Sequence, residues 1–155
     1  MSPYTVRRAT LDDREVLTRH RIEMFVEMGM DVPRAELSRS FHEWLAQVIP
    51  AGLYHAWLVE NEDGAVVSGG GMTVIPWPPG PRYPGGQVAF AYNVYTEPDH
   101  RRRGLGRLVM ETMHAYCRAI GVSAIVLNAS MFGKPMYEAM GYRVTESPMM
   151  FLELS

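Results

Sequence analysis

A strand, a proline turn and the start of a helix follow one another in residues 95–107, which read YTEPDHRRRGLGR. The strand is the end of the stretch from Gln87 to Thr96, and the helix continues to about Ile120. Backbone N–H groups at a helix start lack intrahelical acceptors and carry partial positive charge, so the junction favours an anion. Glycine lets the backbone approach a pyrophosphate closely, and arginine adds charge. The segment therefore predicts a phosphate-binding turn.

The glycine pattern of this turn differs from two common phosphate-binding motifs. It lacks the Gly-Lys-Ser/Thr of a P-loop, and Val109 occupies the place of the third glycine of a dinucleotide fingerprint. A basic surface turn without a ligand is the alternative that the turn by itself leaves open. A nucleic-acid surface is disfavoured, because the net charge is −2 and no aromatic residues are interleaved with the arginines.

The composition is typical of one folded domain, and we expect residues 1–155 to form it. Of the 155 residues, 47% are hydrophobic and 21% are charged. The single cysteine, Cys117, excludes an intrachain disulfide, and the scattered histidines predict no metal site. No signal sequence or membrane-length apolar run is evident, so we expect a cytoplasmic protein that does not bind membranes.

Hydrophobic periodicity predicts an α+β domain that combines antiparallel hairpins with one strand–helix–strand unit. The predicted strands cover residues 4–9, 53–60, 65–75, 87–96, 123–128 and 149–154. The predicted helices cover residues 10–28, 34–48, 104–120 and 134–140. Three consecutive glycines, Gly69 to Gly71, interrupt the third strand. They predict a bulge or the close approach of another backbone or a ligand.

A second informative block lies at residues 127–142, which read LNASMFGKPMYEAMGY. Together with the glycine turn, it resembles the GNAT N-acetyltransferase superfamily. The family signature Arg/Gln-x-x-Gly-x-Gly/Ala is met by Arg101, Gly104 and Gly106. The second block is similar to the family sequence Ala-Ser-x-x-Gly-x-Pro-x-Tyr-Glu-x-x-Gly-Phe. The predicted order of strands and helices agrees with the family over nearly the whole chain.

The resemblance implies a mixed, largely antiparallel central sheet flanked by helices, with two strands that splay apart at an acetyl-CoA cleft. It implies acetyl-CoA as the acetyl donor and direct transfer to an amine in a ternary complex. Backbone N–H groups of residues 102–107 would hold the pyrophosphate, and one near Val94 would polarise the acetyl carbonyl. The implied cofactor contacts are Val94, Tyr95, Thr96, Arg101, Arg102, Arg103, Gly104, Leu105, Gly106, Arg107 and Ser130.

Tyr137 stands where the family often has a general acid that protonates the departing thiolate. A phenol with a pKa near 10 can protonate a thiolate whose conjugate acid has a pKa near 8.5 only in a close, dry site. The alternative is that Tyr137 packs as an ordinary aromatic residue. Ser130 replaces an asparagine that many members carry seven residues before the tyrosine, and it could cap the short helix instead.

The acceptor is expected to be a small-molecule or peptide amine of open identity. Candidate acceptor contacts come from the first helix, the proline loop and the splayed strand: Phe25, Met28, Met30, Trp77, Tyr92 and Asn93. Candidates for the general base are Glu23, Glu27, His55 and Glu97. A homodimer is compatible with such a domain, although no pattern specifies an interface. A non-catalytic CoA sensor or partner-binding module and a different nucleotide-phosphate binder are the alternative functions.

Overall fold

The computed structural model describes residues 2–155. Five strands form one sheet in the order β1 to β5: β1 Thr5–Arg8, β2 Tyr54–Glu60, β3 Val66–Pro76, β4 Gln87–Thr96 and β5 Ile125–Leu127. The helices are α1 Arg14–Glu27, α2 Arg34–Val48, α3 Leu105–Ala119 and α4 Lys134–Ala139. Neighbouring strands from β1 to β4 are antiparallel, and β4 pairs with β5 in parallel. The predicted α+β class with a largely antiparallel sheet is confirmed.

Alternation along β2 divides the buried side chains between two cores on opposite faces of the sheet. Trp57 and Val59 belong to the core that α3 covers, where Val109 is also buried. Ala56 and Leu58 face the other core, which α1 and α2 cover. The helix prediction at the N-terminus holds with one refinement. A short 3₁₀ turn, Leu11–Asp13, precedes α1 and is closed by the predicted capping box.

The glycines of β3 leave room for the Tyr54 ring and for side chains of α3 to lie close to the backbone of the strand. A Cβ atom at Gly71 would lie 2.2 Å from the Tyr54 hydroxyl, and one at Gly70 would lie 3.0 Å from side chains of α3. Between Gly69 and Gly71 the pairing with β4 shifts by one residue, because these residues oppose Tyr95 and Tyr92. A bulge is present at the predicted place, but its extra residue is on β4, and the groups that approach Gly70 and Gly71 are side chains and not a backbone or a ligand.

The bulge on β4 is centred on Asn93, whose φ of 62° lies in the left-handed region. Ala91 and Val94 both pack toward the α3 core, although residues three apart on a regular strand face opposite sides. Tyr95 accordingly turns toward α1, where its ring contacts His20. The bulge therefore reverses the facing of every side chain in the last part of β4.

The strand predicted at residues 149–154 is absent, and this prediction was wrong. Residues 143–155 form no strand or helix, and the sheet ends at β5. We call residues 149–154 the apolar tail. The apolar sequence MMFLEL is compatible with a strand, but a strand also needs a partner, and the tail pairs with no strand among residues 2–155.

Gly71→Ala should lower the free energy of unfolding by about 1–3 kcal/mol, because the added methyl group would overlap the Tyr54 hydroxyl. Gly80→Ala is the matched control, since no atom lies within 4 Å of a Cβ at Gly80. Urea titration of both variants measures the effect. Equal stability of the two variants would show that Tyr54 does not require the glycine.

Candidate functional site

A groove opens where β4 separates from β5. The two strands are paired through only three residues of β4, Ala89 to Ala91, opposite Ile125 to Leu127. From Tyr92 onward, β4 has no partner on that side. The groove has a volume of about 1400 Å³, larger than the roughly 300–1,000 Å³ of a typical small-molecule pocket. It can therefore hold more than one ligand.

The turn before α3 forms one end of the site. Arg102 and Gly104 have left-handed φ values of 60° and 77°. The N–H of Leu108 makes the first backbone bond of the helix, to the Gly104 carbonyl at 3.0 Å. The preceding N–H groups of α3 have no intrahelical acceptor. Left-handed residues next to unbonded N–H groups form a concave anion-binding surface.

Arg101 has a structural role in this turn. Its Nε donates to the Thr96 carbonyl oxygen at 2.8 Å, and Nη2 donates to both carboxylate oxygens of Glu27 at 2.6 and 2.7 Å. These bonds join the turn to the end of β4 and to α1. The Arg101 side chain, predicted as a cofactor contact, is thus already paired within the protein.

The other arginines of the turn differ in how they are engaged. Arg103 donates to the Tyr4 hydroxyl at 3.1 Å, and Arg107 donates to Glu111 at 2.9 Å. Arg102 lines the groove and makes no side-chain hydrogen bond within residues 2–155. Leu105 is buried in the α3 core, so only its backbone can reach a ligand. Arg102 is therefore the side chain of this turn that is available to an anion.

Tyr137 lies across the groove from β4, on α4. Its side chain is 8% exposed, and burial raises the pKa of its phenol above the usual value. The ring packs edge-on against Tyr142 with centroids 5.5 Å apart, and its hydroxyl makes no hydrogen bond within the described residues. Gly133 leaves room for the ring, since a Cβ there would lie 3.0 Å from it. Tyr137 is thus a protonated donor at neutral pH that faces the groove.

The two residues before α4 that could contact a ligand are Ser130 and Asn128, and both line the groove. The Ser130 hydroxyl accepts a hydrogen bond from the Gly133 N–H at 3.1 Å, so it caps the turn that leads into α4. α4 in turn packs on the start of α3, where a Cβ at Gly106 would lie 3.4 Å from Met136. These contacts fix Tyr137 relative to the glycine turn.

The opposite end of the groove is formed by α1, α2 and the first unpaired residues of β4. Four of the predicted acceptor residues line it: Phe25, Met28, Tyr92 and Asn93. Met30 and Trp77 do not. Met30 lies beyond the end of α1, and Trp77 packs against Tyr83 in the loop at the other end of β4. That loop is roughly 17 Å from the splay, given a rise of about 3.3 Å per residue.

Sequence reasoning missed several residues at this end. They are Arg21, Met24, Leu37, Ser40, Phe41 and Trp44. The periodicity of α2 indicated a buried face, and Phe41 is buried as expected, but periodicity does not distinguish a core from a groove wall. Arg21 could have been found, because it interrupts the apolar face of α1.

Only Glu27 of the four candidate bases lines the groove. The others are engaged elsewhere: Glu23 with Arg34, His55 with Arg8, and Glu97 with Arg19 and His20. Burial lowers the pKa of His20 to about 4, so this side chain is a neutral hydrogen-bond partner of Glu97 at pH 7. The cavity therefore holds a single candidate carboxylate, and Arg101 already binds it.

The comparisons with known proteins agree with this geometry. The sequence model of the acetyltransferase (GNAT) family matches residues 16–142. The chain is similar in structure to a GCN5-related N-acetyltransferase from Ralstonia eutropha JMP134, with a TM-score of 0.89 and 34% identity. That match covers 96% of this chain and 98% of the other.

Two further structures share the fold. One, from Clostridium acetobutylicum, is a predicted acetyltransferase solved with acetyl-CoA (TM-score 0.86, 22% identity, 98% and 96% coverage). The other is glucosamine-6-phosphate N-acetyltransferase from Arabidopsis thaliana (TM-score 0.66, 19% identity, 97% and 99% coverage). No curated protein sequence matches the chain.

Within residues 2–155, no helix could cross a membrane and no three His, Cys, Asp or Glu residues are grouped to hold a metal.

Proposed function

This chain belongs to the acetyltransferase (GNAT) family, and we propose that it transfers the acetyl group of acetyl-CoA to an amine. The observation that carries the proposal is the splay of β4 from β5, which opens one continuous groove toward Tyr137 and the anion-binding turn. The cytoplasmic location and the lack of nucleic-acid or membrane binding stay predictions from the sequence.

The cofactor would bind along the unpaired half of β4. Its pyrophosphate would rest on the backbone N–H groups of residues 102–107, with the Arg102 side chain adding charge. The amides of the pantetheine arm would pair with the backbone of Val94 to Thr96, as an added strand pairs with a sheet edge. This arrangement supports a CoA thioester as the ligand, because the turn offers donors to the phosphates and the unpaired strand offers backbone groups to the extended pantetheine arm. Ser130 would border the arm from the opposite wall.

The acetyl carbon would then lie between β4 and Tyr137. A backbone N–H near Val94 would polarise the carbonyl and stabilise the oxyanion of the tetrahedral intermediate. The amine nitrogen forms the new C–N bond, the C–S bond breaks, and Tyr137 gives its proton to the departing thiolate. The proton lost by the amine passes to water or to Glu27. No covalent enzyme intermediate is needed.

Gly104→Asp should weaken acetyl-CoA binding at least ten-fold, because a carboxylate would face the pyrophosphate at close range. Aspartate tolerates the left-handed conformation of this residue comparatively well, so the fold should persist. Gly64→Asp is the matched control, since Gly64 has a φ of 79° and open space around its Cβ. Calorimetry with acetyl-CoA, CoA and ATP is the measurement. Tight ATP binding without CoA binding would contradict the proposal.

Tyr137→Phe should lower kcat by about 10²–10⁴-fold, the range for loss of a general acid. Acetyl-CoA affinity should change little, because the ring remains. Since the pKa of Tyr137 is raised, its phenol stays protonated between pH 7 and 9 in the wild-type protein. The wild-type kcat should therefore exceed that of the variant across this whole pH range. Free-CoA release measures the rate, and Tyr83→Phe in the proline loop is the control.

An unchanged rate of the Tyr137→Phe variant across pH 7–9 would show that Tyr137 is not the acid. If wild-type protein binds acetyl-CoA but acetylates no amine, the non-catalytic CoA-binding alternative is the correct function.

A further inference from the structure

Arg21 of α1 carries a charge that no acidic group of the described chain neutralises. Its guanidinium lies over the rings of Phe25 and Phe41, 4.8 and 5.0 Å from their centroids, and Nη1 donates to the side-chain oxygen of Asn93. Nε is buried without a hydrogen-bond partner, and no carboxylate lies within ion-pair distance among residues 2–155. Because a half-buried charge without an acidic partner is costly, this arrangement is typical of a site that an anion completes.

The position of Arg21 indicates that the anion belongs to the acceptor and not to the cofactor. Arg21 contacts Asn93, on the far side of Val94 from the phosphate-binding turn. Neighbouring Cα atoms are about 3.8 Å apart, so an anion held there lies close to an acetyl group polarised at Val94. A compact acceptor with its amine near its negative charge fits that short separation.

The walls of the groove favour a singly charged acceptor with an apolar body. Three arginines line the groove, and Arg101 and Arg102 both belong to the turn, which leaves Arg21 alone at the acceptor end. One guanidinium binds one carboxylate through two parallel N–H···O bonds and neutralises its charge, whereas a phosphate dianion on the same guanidinium would keep one negative charge without a partner. Aromatic rings surround Arg21, including those of Phe25 and Phe41.

We propose that the acceptor is an amino acid with a large apolar side chain, whose carboxylate binds Arg21 and whose side chain packs on these rings. The proposal rests on the acetyltransferase function proposed above. Arg21 is a specificity residue in this role, since it touches the acceptor but not the reacting atoms.

Acetylation of four amines tests the proposal: L-phenylalanine, L-phenylalaninamide, glycine and glucosamine 6-phosphate. The amide lacks the carboxylate, glycine lacks the apolar body, and the sugar phosphate carries a different anion. Wild-type kcat/KM should favour phenylalanine over its amide by about ten- to one-hundred-fold, the worth of a charge-assisted hydrogen bond. Arg21→Met should remove this preference without weakening acetyl-CoA binding, and Arg21→Lys should retain part of it. Arg14→Met, elsewhere on α1, is the control and should behave as wild type.

A binding measurement separates this inference from the catalytic one. N-acetyl-L-phenylalanine should bind the CoA-loaded wild-type protein more tightly than the CoA-loaded Arg21→Met variant. If no amine is acetylated but this difference is found, the catalytic proposal fails and the carboxylate site stands. Equal use of phenylalanine and its amide, equal binding by the two proteins, or a preference for the sugar phosphate would each overturn the inference.

Discussion

The bulge at Asn93 is the constraint on which the rest of the site depends. β4 must pair with β3 along most of its length to hold the sheet together, yet it must leave β5 to open a groove. The extra residue on β4 achieves both, because it reverses the facing of Val94 and Tyr95 while pairing with β3 continues beyond it. Gly70, opposite the bulge, admits α3 and the Val94 side chain at the same place.

Packing around the groove converts this opening into a site with two distinct ends. At one end, Arg101 joins the glycine turn to Glu27 of α1, so the turn keeps a fixed position relative to β4. At the other end, Arg21 is held by two phenylalanine rings and Asn93. The same residue type thus has opposite roles: one arginine is satisfied inside the protein, and the other is left for a ligand.

α4 supplies the third wall, and its burial has a chemical consequence. Because it packs on the start of α3, Tyr137 faces the groove while its ring is shielded from water. Shielding raises the pKa of the phenol, which keeps the proton on the group that is proposed to donate it. Packing and acid chemistry therefore depend on the same contact.

The sequence by itself determined the features that depend on residues close to one another along the chain. The glycine turn, the capping box at Thr10, the helices and all five strands follow from local geometry and periodicity, and the two blocks at residues 95–107 and 127–142 identified the family. The tertiary structure alone decided which charges are paired, because Arg101 and Glu27, or Arg21 and Asn93, are more than seventy residues apart in the chain. It also decided that Met30 and Trp77 lie away from the groove and that the apolar tail has no partner within the chain, since both depend on which distant surfaces meet.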